Sequence, residues 1–175
     1  MREEQPLAAN PLLTLRDLRA LHAAAYGWAR RCCHGDAEDA ADVLQTTYLY
    51  ILDGRARFSG RSSLRTWLFG VLRNIARQSL RRRLRAAAIG WRMPAESIEE
   101  GPDSCADASD ARHVWRHWMR LPRRQREVLE LVFYRDFTLD EVAAIIGISP
   151  GSARVHYERG KARLRRLLAQ RNGEG

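Results

Sequence analysis

Residues 93–110 read MPAESIEEGPDSCADASD. The run holds Glu96, Glu99, Glu100, Asp103, Asp107 and Asp110, two prolines and no basic residue. Such a segment has too little apolar surface to offset the entropy lost on ordering it. It reads as a flexible acidic tether. Whatever folds on either side must therefore complete a core of its own. A chain of 175 residues has room for two small domains, and a hydrophobic content of 45% can supply a core for each.

On the N-terminal side nearly every periodic stretch is helical, and few strand signals appear. Thr14 and Asp17 have the spacing of a helix cap. Leu15, Leu18, His22, Ala25 and Ala29 then line one face as far as about His34. A second helix is expected from about Asp36 to Asp53, with Ala40, Val43, Leu44, Thr47 and Ile51 inward and Gly54 ending it. The loop RARFSGRSS follows. Ser62 or Ser63 can cap a third helix running to about Arg85, whose inward stripe is Leu68, Val71, Leu72, Ile75 and Leu80. Its opposite stripe is Asn74, Arg77, Gln78, Arg81 and Arg85, with Arg73, Arg82 and Arg83 beside it. No acid occurs from Arg61 to Arg92, so no i,i+4 pairing along the helix relieves the repulsion.

Beyond the tether, Val114, Trp115, Trp118 and Met119 suggest a helix. In LPRRQREVLELVFY, Val128, Leu129, Val132 and Phe133 suggest another. Next comes TLDEVAAIIGISPGSARVHYERGKARL. Thr138 and Glu141 form a capping box, and Leu139, Val142, Ala143 and Ile146 share a face. Gly147 suits a left-handed stop. Ser149 and Pro150 suit the start of a new helix. About three residues separate the two helices, the connection length of a helix-turn-helix. On the second, Ala153, Tyr157, Leu164 and Leu167 face inward, and Arg154, Val155, Glu158 and Arg159 face out. Arg can fork onto guanine, Glu can accept from cytosine and Val can meet a thymine methyl. A helical hairpin with a solvated basic face is the competing reading.

The formal charge of +9, carried almost entirely by arginine, favours a polyanionic partner, nucleic acid before anionic membrane. The N-terminus has mixed charge and no long apolar run, and no segment approaches the ~20 apolar residues of a bilayer span. A cytoplasmic protein with no membrane insertion is the expectation. Cys32, Cys33 and Cys105 show no CxxC spacing, so reduced thiols are the default. Cys105 with His113 and His117 lacks a fourth zinc ligand at suitable spacing. Asp36, Glu38, Asp39 and Asp42 could suggest a metal-dependent nuclease, but they crowd one helix start, where they complement its dipole. No cofactor is expected.

Taken in order, these motifs resemble an extracytoplasmic function (ECF) sigma factor, of the sigma-70 family of bacterial RNA polymerase sigma subunits. The N-terminal likeness lies in ADVLQ (Ala41 to Gln45), RTWL (Arg65 to Leu68), LRNIAR (Leu72 to Arg77) and Arg81 to Arg83. The C-terminal likeness lies in LPRRQREVLEL (Leu121 to Leu131), DEVAAIIGIS (Asp140 to Ser149) and RGKARLR (Arg159 to Arg165). Together they span about Leu12 to Leu168. The chain departs from the family pattern at Ala41, Gln78, Ala153 and Tyr157. The fold implied is all-α: a region 2 helical bundle over residues 10–90, an acidic linker over 91–111 and a region 4 helix-turn-helix domain over 112–171.

The resemblance implies a non-enzymatic subunit that binds core RNA polymerase and directs initiation at promoters. Asp42, Val43, Gln45 and Leu49 would dock on the clamp coiled coil of the largest subunit, and the polymerase flap is a further implied contact. Arg61, Ser62 and Ser63, with the start of the third helix, would read the melted −10 element. Asn74 matches the asparagine beside a flipped-base pocket, and Arg73, Arg77 and Arg81 would hold phosphates. Trp67 would pack in the core in preference to stacking on a base. The acidic linker would thread the channel that carries RNA. Arg154, Val155, Glu158 and Arg159 would read the −35 element, with Ser152 and Lys161 on phosphates. An anti-sigma factor is an implied partner. A stand-alone helix-turn-helix regulator is the alternative; such proteins are usually dimers, and no dimerisation helix is evident.

Overall fold

The computed structural model describes residues 5–88 and 116–169. The chain divides into two compact units between residues 99 and 100. The acidic run and the helix expected at Val114 and Trp115 lie outside the described residues.

The first unit opens with a small antiparallel pair, β1 (Pro6–Leu7) and β2 (Asn10–Thr14). Helices α1 (Leu15–Ala20), α2 (His22–Cys32), α3 (Ala37–Leu52) and α4 (Leu64–Ala88) follow. Thr14 and Asp17 cap α1 reciprocally, as their spacing predicts. The single helix expected from Thr14 to His34 is instead two, jointed at Leu21. The joint leaves Leu15 and His22 at the surface and brings Trp28 into the core. There the Trp28 ring stacks on Phe69, and its indole N–H donates to the Phe69 carbonyl at 3.1 Å. Helix α2 packs on both α3 and α4, which pack on each other. Asp36 caps α3, and Gly54, with φ of 77°, turns the chain after it. Ser63 caps α4 by accepting from the Thr66 N–H at 3.1 Å.

The second unit contains a helical turn at residues 116–119, then α5 (Arg123–Phe133), α6 (Leu139–Ile146) and α7 (Pro150–Ala169). Thr138 and Glu141 form the capping box of α6. Gly147 ends α6 in the left-handed conformation, φ 71° and ψ 48°, and its N–H reaches the Ala143 carbonyl. Ser149 starts α7 by accepting from the Ser152 N–H at 3.1 Å. Val128, Leu129 and Leu131 are the buried apolar side of α5, while Phe133 is 55% exposed. The expected inward place of Phe133 is therefore corrected: the helix turns it out, and Leu131 enters the core. Trp118, Leu121 and Leu129 form a cluster that Tyr157 and Leu164 of α7 cover.

Candidate nucleic-acid interface

The helix-turn-helix sets up the first surface. Helix α7 packs on α5 and α6 through Ala153 and Gly160, both buried. Gly160 permits a close approach: a Cβ there would lie 3.0 Å from Leu129 Cδ1 and 3.3 Å from Gln125 Cβ. An isolated glycine inside a helical pattern signals such an approach, and sequence reasoning passed over it. On the outer face Ser152, Arg154, Val155, Glu158 and Arg159 are all exposed. Val155 is 46% exposed, an apolar group in water beside two guanidinium groups. Lys161 is turned along its own helix. Its ammonium lies 4.6 Å from the Tyr157 ring centroid and 3.6 Å from Glu158 Oε1.

The second surface runs from the loop after α3 along α4. Arg61, Ser62 and Ser63 are exposed on the loop, and Asn74, Gln78, Arg81, Arg82 and Arg85 are exposed along the helix. Arg77 is half-buried. Arg73 does not join them. It is only 2% exposed, because its position falls one residue after Leu72, on the side of α4 that faces the bundle. Its expected place among the phosphate contacts is corrected accordingly. Trp67 is half-buried, its ring 5.3 Å from that of Phe58. Arg83 forms a two-pronged ion pair with Asp39 at the start of α3. The acid missing along α4 is thus supplied from another helix, and Asp39 acquires a structural role in place of a metal-binding one. Among the described residues no group of three or more His, Cys, Asp or Glu is arranged to hold a metal.

A third surface lies on α3. Asp42, Gln45 and Leu49 are exposed, Leu49 at 55%. Val43, at 3%, points into the core. Its expected docking role is corrected: position 43 shares the inward face with Ala40, Thr47 and Ile51. Nearby, His22 Nδ1 and the Tyr48 hydroxyl are 3.0 Å apart and the rings stack. Burial raises the pKa of Tyr48. At the turn between α2 and α3, burial and then the Asp39 carboxylate push the Cys33 thiol up to about 12, against the opposing pull of Arg83. Among the described residues no helix is long and apolar enough to cross a membrane.

Two helical units with these surfaces correspond to known modules. The family model described as Sigma-70 region 2 matches residues 18–86, and that described as Sigma-70, region 4 matches residues 119–166. The chain is 31% identical to the RNA polymerase sigma factor CarQ of Myxococcus xanthus over 131 residues, 75% of each protein. It is 30% identical to the ECF RNA polymerase sigma factor SigM of Mycobacterium tuberculosis, covering 78% of this chain and 67% of the relative. Among solved structures, the sigma factor RpoE in complex with the anti-sigma factor NepR from Bartonella quintana aligns with a TM-score of 0.68 at 25% identity. That alignment covers 89% of this chain and 96% of the other. CnrH in complex with the cytosolic domain of CnrY aligns at 0.58 and 25% identity, covering 89% and 87%. The two modules define a transcription initiation factor of the sigma-70 type. More narrowly, the chain belongs to the ECF RNA polymerase sigma factors: it binds core polymerase and directs it to promoters.

Proposed function

We propose that the three surfaces divide promoter recognition as follows. The exposed side of α3, with Asp42, Gln45 and Leu49, docks on the clamp of core RNA polymerase. The loop residues Arg61, Ser62 and Ser63, with Asn74 on α4, read the melted −10 strand, and Arg77 and Arg81 hold its phosphates. Helix α7 enters the major groove of the −35 element with Arg154, Val155, Glu158 and Arg159 on bases and Ser152 on phosphate. Lys161 reaches phosphate by giving up its contacts with Tyr157 and Glu158. Residues 10–90 and 112–171 act as separate domains tied by the acidic run 91–111. The polymerase does the bond-forming chemistry, so the chain itself has no catalytic residue, and it works in the cytoplasm. An anti-sigma protein that covers these surfaces is a further partner, by analogy with the solved relative held by NepR.

The observation that carries this reading is the outer face of α7. An exposed valine among Arg154, Glu158 and Arg159, on the second helix of a helix-turn-helix, suits base edges better than water. The phosphate contacts supply affinity that falls with salt, and the base contacts supply choice. Run-off transcription with purified core polymerase on a randomised promoter library tests it. The expected result is chain-dependent transcripts enriched in two short blocks at fixed spacing. Enrichment of one block alone, or tight duplex binding by a dimer without polymerase, refutes the division of labour.

A further inference from the structure

The N-terminal hairpin holds the loop between α3 and α4 at several points. Asn10, buried on β2, uses its whole side-chain amide on the last turn of α3 and the loop that follows. Its Nδ2 donates to the Ile51 carbonyl at 2.5 Å and to the Ala56 carbonyl at 3.0 Å, and its Oδ1 accepts from the Phe58 N–H at 2.9 Å. The side chain thus pairs with residues 56 and 58 as a neighbouring strand would. Gly54 lets the hairpin approach closely, and Gly60 lies in ordinary contact with it. A Cβ on Gly54 would lie 3.0 Å from Ala9 Cβ, and one on Gly60 would lie 3.6 Å from Leu12 Cδ1. Both glycines have positive φ. Phe58, once fixed, meets Trp67 on the first turn of α4. Beyond Phe58 the chain is next anchored at Ser63, whose hydroxyl caps α4. Ser59, Gly60, Arg61 and Ser62 are therefore strung between two fixed ends, all of them exposed. Asn10 itself precedes the residues matched by the region 2 model.

We infer that Asn10 is a positioning residue for −10 recognition: it pre-orders the loop that carries Arg61 and Ser62 before DNA arrives. The inference rests on the reading above that this loop meets the melted strand. Ordering a loop on binding subtracts from affinity, and a loop already ordered avoids that cost. The saving is realised only where the base contacts form, so it appears as discrimination between a correct and an altered −10 sequence. A hairpin that merely stabilised the domain would act equally on all promoters.

The test uses full-length chain with core polymerase and measures three quantities for Asn10→Ala and Asn10→Asp. These are the rate ratio between the selected −10 sequence and single-letter changes, the same ratio for the −35 block, and affinity for core. The aspartate variant keeps the acceptor for Phe58 and removes both donors. The expected result is a −10 ratio reduced about fivefold, as for the loss of roughly one hydrogen bond's worth of pre-ordering. The −35 ratio and core affinity stay unchanged, and the Phe58 amide exchanges faster in the alanine variant. An unchanged −10 ratio in both variants overturns the inference. So does a parallel fall in all three quantities, or loss of helical circular dichroism in both, since either makes Asn10 a residue of general stability. Arg61→Ala and Ser62→Ala are the separating controls. If they leave the −10 ratio intact, the loop is not the reader and the underlying assignment fails first. If they lower it while the Asn10 variants do not, only the role of Asn10 is lost.

Discussion

Gly160→Ala is a substitution that helix propensity alone predicts should help. Alanine is favoured over glycine inside a helix by about 1 kcal/mol. Packing opposes it. The new methyl would meet Leu129 Cδ1 at 3.0 Å, Leu129 Cγ at 3.2 Å and Gln125 Cβ at 3.3 Å. Leu129 is fully buried in a cluster with Trp118 and Leu121, so it has little room to move. Overpacking of this kind costs about 1–3 kcal/mol. The net expectation is a loss of up to roughly 2 kcal/mol in the second unit. Gly151→Ala on the same helix is the matched control. The nearest atom to its new methyl is Ser149 Oγ at 4.0 Å, and the position is exposed, so it should gain up to about 1 kcal/mol. Native-state hydrogen exchange on the full chain reads both, with α3 amides as an internal reference. Gly160→Ala should lower protection of the slowest α5 and α7 amides by up to about 30-fold and leave α3 unchanged. Equal stabilisation by both substitutions would refute the close-packing argument.

Further outcomes follow from the same geometry. Arg154→Ala should reduce discrimination at one or two −35 positions by about 1–3 kcal/mol, measured by run-off on single-letter promoter variants; an equal fall on every variant would count against base reading. Asp42→Ala combined with Gln45→Ala should abolish co-purification with core polymerase while circular dichroism stays native, because both side chains are exposed and neither holds the fold. Cys33, with its thiol pushed up to about 12, should alkylate with iodoacetamide at pH 8 at least about tenfold more slowly than a free thiol, since only the thiolate reacts. Asp39→Asn should speed that alkylation by removing the anion and leaving Arg83 nearby. The sign for stability runs the same way: the folded thiol keeps its proton where the unfolded one loses it, so stability declines as pH rises from 9 toward 12.

Local chemistry was legible in the amino-acid sequence, and long-range placement was not. Both capping boxes, the Gly147 stop and the Ser149 start depend on residues within four positions of each other. The limits of α3 follow for the same reason. The hairpin was missed because its strands are two and five residues long and NPLLT does not alternate. Its docking depends on Asn10 meeting residues 41 to 48 positions away. Nothing local marks Leu21 as a joint, and without the joint Trp28 falls off the inward stripe. Arg73 and Val43 show the limit of site reading. An arginine in a basic run, or a valine in a docking motif, carries no local sign that tertiary packing will claim it. Gly160 did carry a sign, a glycine inside a helical pattern, and would have been found by asking what approaches it.

The Asp39–Arg83 bridge changes how the charge of α4 should be counted. A guanidinium already gripped by a carboxylate holds fewer condensed ions to exchange with a nucleic acid backbone. On the proposed assignment, a plot of affinity against salt reports on Arg77 and Arg81 more than on the full run of arginines that the letters spell out. Arg83 behaves as a strut between two helices, and the proposed phosphate contacts fall to other arginines of the helix.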